Sequence, residues 1–233
     1  MSAPTLYIFP YAGGSANYYV PLARSFDSGV KAVAARYPGR GGKQDLAAFT
    51  GIEELADAVI GKLPPINEST GPTAFFGHSM GALVAFEVAW RLQQHGKRIA
   101  ALFVSACAAP GHSGYDYIPE SDRGLLDAAA QMTGVKPEFL DNPEFAARIL
   151  PTLRGFKAIT AYRCASEARL SCPIHVYYAD DDDAATAAKV APWSERTTGA
   201  CTSRRSTPGT TSAARSASSP TGCPICWTCV DRR

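Results

Sequence analysis

No apolar run in the 233 residues approaches the ~20 needed for a helix to cross a bilayer, and Met1 leads into an apolar stretch without a basic region or cleavage site. A membrane anchor and a secretory leader are therefore not expected, and the predicted location is cytoplasmic. Excess charge is also scarce: 23 Lys and Arg stand against 21 Asp and Glu, a formal +2. Six arginines fall in residues 194–233 beside only Glu195 and Asp231, leaving 17 basic and 19 acidic residues elsewhere, so no nucleic-acid face is expected. Cysteines number seven, an odd count that argues against a complete disulfide framework. Cys107, Cys164 and Cys172 are scattered through apolar surroundings, as buried thiols of a reducing compartment are, while Cys201, Cys223, Cys226 and Cys229 crowd the end. Histidine is limited to His78, His95, His112 and His175, with none beyond. Residues 194–233 contain no Leu, Phe, Tyr or Met, while 15 of the 40 are Ser or Thr, a composition too poor to bury a core. No internal repeat is present.

With 46% hydrophobic residues, the chain has enough apolar mass for one α/β domain with a large core. It is organised around Thr73 to Glu87, where a short apolar run predicts a buried strand, Gly77-His78-Ser79-Met80-Gly81 a sharp turn, and the following stretch a helix. Such a turn holds its central residue in a strained conformation and leaves no room for a side chain two residues either side. It would lift the Ser79 hydroxyl above the sheet, with the Met80 N–H at the helix N-terminus aimed where an oxyanion would form. Without that strand-turn-helix context the pattern would be an ordinary Gly-rich turn.

Thr5 to Phe9 predicts a first strand, followed by a Pro10-Tyr11-Ala12-Gly13-Gly14-Ser15 loop and a helix over Asn17–Phe26. A weak strand over Val30–Tyr37 stops at Pro38-Gly39, and a helix spans Ile52–Leu63 before Pro64-Pro65. Ile99 to Ala106 predicts another buried strand, as does Pro173 to Ala179, which precedes Asp180-Asp181-Asp182-Asp183 and a helix over Thr186–Trp193. Strands alternating with helices imply a mostly parallel sheet covered on both faces. Between Ser121 and Tyr162 only helical segments occur, at Leu125–Met132, Pro143–Leu150 and Leu153–Tyr162. An all-helical insertion, about 111–165, near the reactive end of such a sheet reads as a lid, or else as a surface excursion.

On Pro10 to Gly14, Gly77 to Gly81, Tyr37-Pro38-Gly39-Arg40, Leu150-Pro151-Thr152-Leu153-Arg154 and Leu170-Ser171-Cys172-Pro173-Ile174, the sequence resembles the type II thioesterases of polyketide and nonribosomal peptide assembly lines, most of all the mycobacterial type serving lipid-making synthases. The resemblance covers roughly residues 4–198. It implies an α/β-hydrolase fold, Ser79 as nucleophile, and Met80 and Ala12 as backbone donors of the oxyanion hole. It also implies an acid after the late strand, with a Trp eleven residues further on, which Asp182 and Trp193 satisfy although Ala179 replaces the usual Gly. The implied partners are acyl or peptidyl carrier proteins, with no cofactor beyond the substrate's own phosphopantetheine and a monomeric enzyme. The four-Asp run lacks the alternation and terminal Glu of a calcium loop, so no metal is expected. Two other functions stay open: a non-catalytic protein that docks on carriers, and a stand-alone serine esterase.

The family's histidine lies in a turn after the last strand, where this chain has none. His78 sits in the elbow, His95 at a helix end, His175 inside a strand and His112 in the loop entering the lid. Reading the tail one base earlier changes it. Each restored codon then takes the last base of one printed codon and the first two of the next. Trp227 decodes only as Leu and Thr228 only as Asp, while Cys226 gives Leu or Met and Cys229 gives Leu, Met or Val. Pro208 to Ser212 becomes compatible with Pro-Gly-Asp-His-Phe, placing a histidine at Thr211. A frameshifted translation beginning around Gly199–Ser203 is therefore expected, with residues 199–233 aberrant and the terminal strand and helix lost. The remaining readings are a natural disordered tail, or a metal knuckle at Cys223, Cys226 and Cys229, which lacks a second ligand pair.

Overall fold

The apolar runs legible in the sequence become the central strands. The computed structural model describes residues 3–12, 16–25, 29–37, 51–64, 66, 71–112, 118–133, 136–179 and 182–206. The strands are β1 (Thr5–Phe9), β2 (Lys31–Ala34), β3 (Thr73–His78), β4 (Ala101–Ser105), β5 (Ile174–Ala179) and β6 (Cys201–Ser206). They form one sheet in the order β2-β1-β3-β4-β5-β6, and every pairing is parallel. All side chains of β1 and β4 are buried, as a parallel sheet covered on both faces requires.

Helices α2 (Ile52–Ile60) and α3 (Met80–Gln94) cover one face. There Leu55, Val59, Val84, Phe86 and Val88 pack with Phe9, Phe75, Val104 and Val176. On the other face, α1 (Val20–Ser25) and the tight turn Ala16–Tyr19 bring Leu22 and Tyr19 against Leu6, Ile8, Phe76 and Phe103. The helix expected from Asn17 is thus divided, a 3₁₀ turn preceding a short α-helix; Phe26 lies outside the described residues.

Between β4 and β5 stand α4 (Asp122–Thr133), α5 (Pro137–Leu140) and α6 (Pro143–Thr160). The sequence pattern broke the last segment at Pro151, but α6 runs through it as one helix. Proline removes one intrahelical hydrogen bond. The continuous stripe Leu150, Leu153 and Phe156 offsets that loss by packing on Ile118, Leu125 and Ala128, a small core separate from the sheet's. Ionic contacts within the insertion reinforce it: Arg154 Nη2 lies 2.5 Å from Asp122, and Lys157 Nζ donates to the Ile118 carbonyl at 2.5 Å. At its exit Tyr162 is buried in the main core, and its hydroxyl donates to the buried Glu87 carboxylate of α3. Glu87 also accepts from Arg91 Nε at 2.7 Å, and Arg91 reaches Asp57 of α2, so one chain of polar contacts ties the insertion to two sheet-covering helices.

The segment after β5 forms α7 (Ala187–Val190) and a 3₁₀ turn, Ala191–Arg196, rather than one helix to Trp193. Trp193 is fully buried, edge-on to Phe86, with its indole N–H on the Cys107 carbonyl at 2.9 Å. The sheet then continues into β6, within the stretch read from sequence as aberrant. Backbone pairing is indifferent to side chains, and Cys201 to Ser206 ladder fully onto Ile174 to Ala179. Of their side chains Cys201 packs against the main core, while Thr202 to Arg205 are exposed. The position of the expected terminal helix lies outside the described residues.

Candidate active site

The turn between β3 and α3 places Ser79 at φ 52°, ψ −127°, a conformation that L-residues rarely adopt. It is held from three sides. The Ser79 N–H donates to the Ser105 carbonyl at 2.8 Å, and the Ser79 carbonyl accepts from Ala82 N–H at 2.9 Å. Neither flanking glycine has room for a methyl group. A Cβ on Gly77 would lie 2.4 Å from the Ala82 Cα, and one on Gly81 would lie 2.1 Å from the Phe9 carbonyl oxygen and 2.6 Å from that of Pro10. Both obstacles at Gly81 are backbone, so they cannot rotate away. Gly81→Ala is expected to cost about 3 kcal/mol of stability through this overpacking. Urea unfolding measures it, and a loss under about 1 kcal/mol would show that α3 is not pressed onto the end of β1.

Such an elbow stores strain of order 1–3 kcal/mol when the residue is not glycine. Ser79→Gly should therefore raise the thermal midpoint by about 2–4 °C, the shift that ~1 kcal/mol produces in a chain of this size, while deleting the hydroxyl. An unchanged or lower midpoint in calorimetry would mean that the elbow carries no strain.

Met80 is buried at the first position of α3, where its amide is among those no intrahelical carbonyl can reach. Ala12 is half-buried in the turn after β1, packed against the main core; Gly13 to Ser15 lie outside the described residues. The two predicted donors thus come from segments that meet at the contact between Gly81 and the Phe9–Pro10 carbonyls.

Asp182 closes its own turn: its Oδ1 accepts from Ala184 N–H at 3.0 Å, and its carbonyl accepts from Ala185 N–H at 3.0 Å. Across from it lies the buried Cys107 thiol, whose pKa is pushed up first by desolvation and then by the nearby Asp182 charge. Cys107 and Trp193 join the acid turn to the end of β4, the same strand end that holds Ser79. This link through Ser105, Ala106 and Cys107 carried no sequence signal. Its only local mark is the positive φ of Ala106, 49°, which sequence does not disclose.

Three of the four histidines have their rings engaged by other groups. The His78 Nδ1 lies 3.1 Å from the Ser105 hydroxyl, its ring stands edge-on to Tyr11, and burial pulls its pKa down to about 4, so it is neutral at pH 7. His95 caps α3, with Nδ1 2.8 Å from the Arg91 carbonyl. His112 is exposed. His175 stacks on Phe103 and meets the Thr202 hydroxyl at 2.8 Å, and burial lowers its pKa. Thr211, where the restored frame puts a histidine, lies outside the described residues, as do Asp180, Asp181, Cys223, Cys226 and Cys229. Among the described residues no group of three or more His, Cys, Asp or Glu could hold a metal, and no helix is long and apolar enough to cross a membrane.

A parallel sheet with a serine elbow after its third strand and helices inserted after the fourth has the architecture of the α/β-hydrolases. Within that class the chain belongs to the thioesterase-domain family, whose model matches residues 4–219. It is 48% identical over 200 residues to the thioesterase TesA of Mycobacterium leprae, covering 85% of this chain and 77% of that one. The solved structure of RedJ, a thioesterase from the prodiginine pathway of Streptomyces coelicolor, superposes with a TM-score of 0.72 at 32% identity, covering 88% of this chain and 82% of that one. The type II thioesterase BorB of the borrelidin cluster gives 0.67 at 34% identity, with coverage of 88% and 84%.

Proposed function

We propose that the protein is a type II thioesterase that hydrolyses acyl groups from the phosphopantetheine arms of carrier proteins in polyketide, nonribosomal peptide or lipid synthesis. Ser79 attacks the thioester carbonyl, the Met80 and Ala12 amides hold the oxyanion, and Asp182 orients the histidine base. The observation that carries this reading is the Ser79 backbone, a strained turn at a strand-to-helix junction in a thioesterase-family chain. The helical insertion acts as the lid over the acyl chain. The enzyme works in the cytoplasm as a monomer and needs no cofactor or nucleic acid.

The base itself belongs to the restored frame at position 211, and residues 199–233 as written are out of frame. The lack of any histidine beyond His175 favours a second reading for the chain as it stands, a protein that docks on carriers without turnover. Labelling of Ser79 by a fluorophosphonate, followed by hydrolysis assays on an acyl-carrier thioester and a small oxygen ester, separates the possibilities. Labelling with carrier-thioester turnover supports the thioesterase. Labelling without turnover supports the docking protein, and turnover of free esters alone supports a stand-alone serine esterase.

A further inference from the structure

To act as an oxyanion donor, the Ala12 amide in the turn after β1 must be held to a fraction of an ångström. The structure supplies an anchor from the next strand. Tyr37, three residues past β2, is buried, and its hydroxyl donates to the Pro10 carbonyl at 2.8 Å, a contact spanning 27 residues. Pro10 is itself buried, and its carbonyl oxygen lies over Gly81, where any Cβ would fall 2.6 Å from it. One carbonyl is therefore gripped by a phenol on one side and pressed by the start of α3 on the other, two residues before Ala12. The following ring, Tyr11, is enclosed edge-on by His78 at 5.9 Å and Tyr18 at 5.4 Å.

We infer that Tyr37 is a positioning residue for the oxyanion hole, fixing the Pro10–Ala12 segment so that the Ala12 amide faces the Ser79 elbow. The inference rests on Ala12 serving as an oxyanion donor. Burial keeps the Tyr37 phenol protonated far above neutrality, so the hydrogen bond persists across the working range of pH. Tyr19 supplies a matched comparison. Its ring is equally buried, and its hydroxyl lies near the Tyr11 backbone but makes no hydrogen bond of acceptable geometry among the described residues.

The test compares Tyr37→Phe with Tyr19→Phe by residue-resolved amide exchange in the full chain, a measurement that needs no turnover. In Tyr37→Phe the Tyr11 and Ala12 amides should exchange about tenfold faster, the scale of one lost hydrogen bond, with the β3 and α3 amides unchanged. Tyr19→Phe should stay within about twofold of the parent at all of them. Unchanged exchange at Tyr11 and Ala12 in Tyr37→Phe overturns the inference, as does equal acceleration in both variants, which would mark general loosening. Should Tyr37→Phe not fold, 4-fluorophenylalanine at position 37 fills the same space without a donor and is read the same way. In a parent that turns over acyl-carrier thioester, Tyr37→Phe lowers kcat about tenfold with KM within twofold; a raised KM at constant kcat overturns the inference. Failure of the frame-restored parent to hydrolyse any thioester counts against the thioesterase reading alone, because the exchange result stands without it.

Discussion

Restoring one base near codons 199–203 is expected to raise acyl-carrier thioester hydrolysis by about 10⁴- to 10⁶-fold, the factor that separates an intact serine triad from one without its base. A thiolate leaves readily, so acylation needs little acid help, but deacylation requires a base to activate water. The rings of His78, His95 and His175 are engaged by other groups, and no histidine follows His175. Serine codons of the TCN class, read one base earlier, become NTC and encode Phe, Leu, Ile or Val; cysteine codons become NTG and encode Leu, Met or Val. A tail rich in Ser and Cys and empty of Leu, Phe and Met is thus what an apolar strand and helix become when read out of frame. The strand β6 fits this origin: its backbone pairs in full while Thr202 to Arg205 lie exposed. The M. leprae relative aligns over 200 residues and leaves length over in both chains, although the family model runs on to residue 219. Resequencing codons 190–233 is the first check, followed by assay of the corrected enzyme. A confirmed printed frame, or a corrected protein no faster than the original, overturns the proposal.

The parts legible in the sequence were those whose information is local. β1, β3, β4 and β5 are short apolar runs bounded by Gly, Pro or polar turns, and the elbow is written in two glycines whose missing Cβ atoms the close contacts explain. Features decided by distant residues were not legible. Pro151 marked a helix end by propensity, but packing against Ile118 and Leu125 carried α6 through it. Four-residue α5 was missed because one turn leaves no periodicity to detect. Tyr37 stood out only as part of a Tyr-Pro-Gly-Arg motif; its role depends on Pro10, 27 residues away. The Glu87–Tyr162 contact spans 75 residues and gave no sign in the buried, apolar first half of α3. The tail shows the converse, since its composition denied a strand that backbone pairing nevertheless supplies.

Ser79→Ala should lower hydrolysis by about 10⁴- to 10⁶-fold in the frame-restored enzyme, and abolish whatever hydrolysis the printed chain has, while leaving carrier binding and thermal stability near those of the parent. The serine's contribution is confined to one oxygen. Its backbone bonds to Ser105 and Ala82 use N–H and C=O, which alanine retains, and the elbow's fit depends on Gly77 and Gly81 rather than on the hydroxyl. The proposed oxyanion donors, the Met80 and Ala12 amides, are backbone groups that the substitution leaves in place, so the variant should hold an acyl-carrier thioester long enough for its affinity to be measured by titration. The expected loss is in kcat, because the covalent bond formed by Ser79 exists only after substrate has bound. Two results would reject the nucleophile assignment: hydrolysis near the parental rate, or persistence of fluorophosphonate labelling in the alanine variant. Carrier affinity falling in step with kcat would instead assign the serine to binding, because a nucleophile that acts after binding has no reason to set the dissociation constant.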